Sequence, residues 1–118
     1  MTGTVSYLQR IALPPSAVVE VRLEDVSRAD APAVTIAEQA IKPEGKQVPF
    51  PFELCYEPTR IKDRGRYVSR VRIVQGAKLL FTNTNVYPVI TGGHPNSVNV
   101  IVKPIPGDAR AMIMEEIN

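Results

Sequence analysis

The sequence has no tryptophan, one cysteine (Cys55) and one histidine (His94), and its aromatic residues are four tyrosines and three phenylalanines. Each shortage removes a class of function. A single cysteine forms no intrachain disulfide, and one cysteine with one histidine falls short of a zinc ligand set, so no metal or cofactor is expected. Sugar and single-stranded nucleic-acid binding need exposed stacking rings, and Phe50, Phe52 and Phe81 are required inside. A formal net charge of +2 is far from the strongly basic face of a nucleic-acid binder. No run approaches the roughly 20 apolar residues that span a bilayer. The opening MTGTVSY has neither the basic start nor the apolar stretch of a secretory signal.

Proline, by contrast, is abundant. Eleven prolines are about twice the ordinary usage, and each one inside a helix removes a donor and clashes with the preceding turn. A two-residue period takes the place of helical patterning. It predicts strands over residues 2–9, 17–26, 34–41, 48–55, 67–74, 78–84 and 98–103. In the second, Val19, Val21 and Leu23 face inward and Glu20, Arg22 and Glu24 face water. Continuing that alternation would bury Asp25, so the strand is expected to end or bulge there. SRADAP, residues 27–32, reads as a turn, with Asp30 bonding nearby backbone. VYPVITGGHPNS, residues 86–97, reads as a loop.

These seven strands predict an all-β fold, an immunoglobulin-like Greek-key sandwich over residues 1–106. A C-terminal tail over residues 107–118 is expected to be a short helix or a frayed end. Two finer signals stand out. Pro49 and Pro51 alternate in one strand and cannot donate to a neighbour, so that strand belongs at a sheet edge. Ile61 stands six residues before Tyr67 with a tight turn between, the spacing of a tyrosine corner.

Catalytic candidates are few. His94, in the flexible GGHPN segment, is the one base available to a hydrolase, and no activating constellation accompanies it. The protein is therefore expected not to be an enzyme. Asp25 and Asp30 read as turn caps because the dense oxygen spacing of a calcium loop is missing. Gly92 and Gly93 follow no strand-helix phosphate pattern. Cys55 lies beside Glu53 and Glu57, whose charges oppose a thiolate. Six cations crowd between Arg60 and Arg72. Arg66, Arg70 and Arg72 form the candidate partner-binding set, a surface for an anionic partner. The competing and stronger reading pairs Arg70 and Arg72 with Glu20 and Glu24 across strands.

The segments IALPPSAVVEVRLEDVSRADAP, VPFPFELCYEP, RYVSRVRI and LLFTNTNVYPVIT, followed by the closing valine strand, together resemble the YbaY/YscW family. The resemblance runs from about Thr2 to Pro106. It implies a compact sandwich of bacterial envelope lipoproteins, one branch of which comprises secretion pilotins that bind a secretin subunit and deliver it to the outer membrane. Two features depart from that pattern. The chain shows no leader and no lipidated cysteine, and Cys55, set in a strand, cannot serve as that anchor. The strand motifs also define the sandwich without defining a partner groove. The expectation is a protein-binding envelope domain, monomeric or weakly oligomeric, touching the membrane only through an anchor absent from this chain. Its location is the periplasmic face of the outer membrane if an upstream signal was removed, and otherwise the cytoplasm. A structural or accessory envelope module without a dedicated ligand is the alternative.

Overall fold

The computed structural model describes residues 1–105, so the tail expected over residues 107–118 lies outside the described residues. Nine strands follow one another: β1 (Thr2–Ser6), β2 (Ala17–Asp25), β3 (Val34–Ile41), β4 (Phe50–Glu53), β5 (Tyr67–Gln75), β6 (Lys78–Thr82), β7 (Pro88–Val89), β8 (Ser97–Ile101) and β9 (Lys103–Pro104). A 3-10 turn, Pro58–Arg60, stands between β4 and β5. One sheet has the order β4-β1-β8, and the other β3-β2-β5-β6-β9 with β7 added to β5. The two sheets enclose one core and form a sandwich. No helix among the described residues is long and apolar enough to cross a membrane.

Nine strands replace the expected seven for two reasons. The closing valine strand divides at Val102: β8 pairs in parallel with β1, and β9 pairs with β6 in the other sheet. Val102 sits at the crossing with its N–H donated to the Ser6 carbonyl at 2.8 Å. The second addition is β7, inside the segment expected to be a loop. Its two residues pair with Tyr67 and Val68, beyond the reach of β6, which pairs β5 from Arg72 onward.

Alternation fills the core. Val19, Val21, Leu23, Val71 and Ile73 are fully buried on one sheet, facing Val5, Phe50, Phe52 and Val100 on the other. Each such side chain contributes about 1.5–3 kcal/mol by leaving water. Tyr7 and Phe81 stack across the gap with ring centres 5.0 Å apart. At Gly3, in the central strand of the smaller sheet, any Cβ would overlap the Val98 carbonyl and the Phe52 ring, so only glycine fits. One expectation is corrected here. Glu24 does not lie in water but is 6% exposed, at the point where the β2–β3 register shifts.

The proline strand lies at an edge, as its composition requires. The Leu54 N–H donates to the Met1 carbonyl at 2.7 Å, so by the two-residue period Phe50 and Phe52 also turn their backbone groups toward β1. Pro49, Pro51 and Glu53 then face the open side. The first two have no N–H, and the Glu53 N–H is taken by Gln39 Oε1 of β3 at 3.1 Å. At the opposite edge of that sheet, the Tyr87 hydroxyl accepts from the Ile101 N–H at 3.0 Å and donates to its carbonyl at 3.3 Å. The outer edge of β3 is different. Its strand contains no proline, and the same phase argument, from the Val26 N–H donated to the Arg66 carbonyl, leaves the Glu38 and Ala40 backbone groups facing outward.

Candidate partner-binding surface

The tyrosine corner is formed. Buried Tyr67, at the start of β5, accepts the Lys62 N–H at 2.9 Å and donates to the Arg60 carbonyl at 3.3 Å. Gly65 lies against its ring, where a Cβ would overlap both ring and hydroxyl. Three further bonds pin the same loop. Thr91 Oγ1 donates to the Gly65 carbonyl at 2.7 Å, the Arg66 N–H donates to Ser27 Oγ at 2.9 Å, and the Val26 N–H donates to the Arg66 carbonyl at 2.9 Å. Ser27 also bonds Asp25, and this bonding, with nearby Lys62 and Arg28 contributing less, holds the Asp25 carboxyl below the usual aspartate range. Asp25 thus caps the turn at Ser27.

Around this corner lie two adjoining cavities that share Gly65 and Tyr67. The first, about 490 Å³, is lined by exposed Ala31, Pro32 and Val34 and by buried Tyr67, with exposed Arg28, Lys62 and Arg64 at its rim. The second, about 540 Å³, is lined by Val26, Val68, Val86, Pro88, Arg66 and His94 among others. A third depression of about 260 Å³ continues from the second past Val68 and Val86 to Arg70. Val34 stands 52% exposed in the lining of the first cavity and Val86 74% exposed in that of the second.

The trio Arg66, Arg70 and Arg72 does not converge on one site. Arg70 Nε meets Glu24 Oε1 at 2.6 Å, and Arg72 Nη2 meets Glu20 Oε1 at 2.9 Å, so both are occupied as cross-strand pairs. Arg22 completes the ladder with Glu38 at 3.3 Å. Only Arg66 lines the 540 Å³ cavity. The residues that sequence reading left out of the set, Arg28, Lys62 and Arg64, are the ones gathered at the rim of the first cavity. The density of cations in IKDRGRY was visible, but which of them lack a carboxylate depends on register. His94 is exposed, and among the described residues no side chain hydrogen-bonds its ring. Cys55 is exposed with its sulfur 3.8 Å from Glu53 Oε1. No group of three His, Cys, Asp or Glu among the described residues is placed to hold a metal.

Residues 1–102 match the family model described as type III secretion system lipoprotein chaperone (YscW). The chain belongs to the YscW family. This YscW-family chain is 42% identical over 93 residues to the uncharacterized lipoprotein YbaY of Escherichia coli strain K12, covering 79% of the chain and 49% of YbaY. It therefore spans about half the length of that curated relative. Among solved structures, an alternative pilotin from the type II secretion system of Vibrio cholerae superposes with a TM-score of 0.84 at 43% identity. That match covers 89% of this chain and 95% of the pilotin. The YscW sandwich is thus shared across nearly the whole of that pilotin.

Proposed function

We propose that the protein is a non-enzymatic envelope chaperone of the pilotin type, which binds a secretin subunit and brings it to the outer membrane. The observation that carries this reading is the superposition on a type II secretion pilotin over 95% of that protein's length. Membership of a lipoprotein chaperone family supports an envelope location, at the periplasmic face of the outer membrane through a lipid anchor. The exposed valines and adjoining cavities at the tyrosine corner supply the kind of surface that seats a protein segment.

Deletion of the gene in its native host is expected to leave a secretin outside the outer membrane, and the purified chain is expected to bind that secretin subunit in isothermal titration calorimetry. Unchanged secretin localisation together with no binding to any of the host's secretin subunits would overturn the reading. A second reading, an accessory envelope module without a dedicated ligand, is favoured by one feature. On the outer face of the larger sheet, six charges are closed among themselves as the Glu20–Arg72, Glu24–Arg70 and Arg22–Glu38 pairs.

A further inference from the structure

We propose that the cavity at the tyrosine corner receives an acidic segment of a protein partner that also carries apolar side chains. Arg28, Lys62 and Arg64 would pair with its carboxylates, and Pro32 and Val34 would seat an apolar side chain. This inference deepens the chaperone reading and rests on it for the identity of the partner.

The cations of the described chain divide into paired and unpaired sets. Arg22, Arg70 and Arg72 each have a glutamate within 4.0 Å, whereas Arg28, Lys62 and Arg64 have no carboxylate within that distance among the described residues. The carboxylate that does line the cavity, Asp25, is already engaged by the Ser27 N–H and hydroxyl. Asp30 and Asp63, on the same two loops, are not part of the lining. Three cations thus stand around one hollow that holds a single carboxylate, Asp25, whose charge acts on Lys62 and Arg28 but leaves the lining with an excess of positive charge. Mutual repulsion would spread them if the loop were free. For Lys62 and Arg64 it is not free: the Tyr67 hydroxyl, Thr91 and Ser27 hold the backbone of residues 60–66 from three sides. A cationic rim carried in part by a held backbone, with apolar side chains beside it, suits a ligand of opposite charge, and the held backbone lowers the ordering cost of binding. Of anionic partners, nucleic acid is disfavoured because none of the lining residues except Tyr67 is aromatic and its ring is buried. An acidic protein segment with apolar side chains matches both the cations and the exposed Ala31, Pro32 and Val34.

The test uses the full chain, labelled for amide NMR, with a short synthetic peptide rich in leucine and glutamate. Its counterpart carries glutamine at every glutamate. The expected result is saturable binding of the acidic peptide, shifts centred on residues 28–34 and 62–65, and affinity that falls with added salt. The triple variant Arg28→Gln, Lys62→Gln, Arg64→Gln is expected to lose about tenfold or more in affinity while its melting temperature stays unchanged. Equal binding of the two peptides, or full affinity in the triple variant, would overturn the proposal. So would binding to phosphatidylglycerol vesicles with none to the peptide, which would make the rim a lipid contact. The two readings separate cleanly. Secretin binding that survives in the triple variant removes the groove and leaves the chaperone. Acidic-peptide binding with no secretin binding removes the chaperone and leaves the groove.

Discussion

Glu24 and Arg70 show how much a single register position decides. Glu24 is buried and accepts a 2.6 Å charge-assisted bond from Arg70, while the Arg22–Glu38 pair is longer and its glutamate side chain is 64% exposed. Short bonds to shielded carboxylates count for more than exposed ones. Glu24→Gln is therefore expected to cost about 1–2 kcal/mol in urea unfolding, and Glu38→Gln less than about 0.5 kcal/mol. A double-mutant cycle over Glu24 and Arg70 should give a coupling near 1 kcal/mol; additivity of the two single changes would show that the pair contributes nothing. Asp25 gives a pH signature. Its folded carboxyl is held below its ordinary range, chiefly by Ser27, so its contribution is present above that range and is lost as pH falls through the folded value. The stability gap between wild type and Asp25→Asn should be constant near neutrality and close below about pH 4. The burial of Glu24 was not legible in the sequence. Its place in the alternation puts it on the solvent face, and its burial comes where the β2–β3 register shifts and Arg70 of the neighbouring strand meets it.

Edges are the property that belongs to whole elements. β4 was recognisable as an edge strand from Pro49 and Pro51 alone, because residues without N–H groups are tolerated only where no neighbour needs them. The third outward position was not recognisable. Glu53 keeps its N–H, and that group is covered by Gln39 from the other sheet, a contact no local pattern announces. Restoring the donor with Pro51→Thr is expected to leave folding stability within about 0.5 kcal/mol and to introduce concentration-dependent association in sedimentation equilibrium. A variant that stays monomeric at every concentration would show that the prolines are not what keeps this edge single. The tyrosine corner behaved otherwise: the spacing from Ile61 to Tyr67 announced it, and the bonds to Arg60 and Lys62 are its realisation. What that spacing could not convey was the second role of the same loop, as the carrier of Lys62 and Arg64.

At the scale of the molecule, strand identity was legible because it is local, and strand pairing was not because it is distant. The valines of the last segment read as one strand, yet Val102 divides them between two sheets. The same reasoning governs how the fold is reached. β1 occupies the centre of the smaller sheet, and its parallel neighbour β8 aligns Thr2 with Ser97 and Ser6 with Ile101. A chain ending before Ser97 is expected to show no cooperative thermal transition, whereas the full chain should refold in milliseconds to seconds, as non-local all-β topologies do. A cooperative transition in the shortened chain would refute this dependence on the last strands. During synthesis, at about 5–20 residues per second, the first strand would wait on the order of ten seconds for its last neighbour to leave the ribosome. The smaller sheet can therefore be completed only after almost all of the described chain has been made, and until then the nascent protein is open to capture by the cell's chaperones.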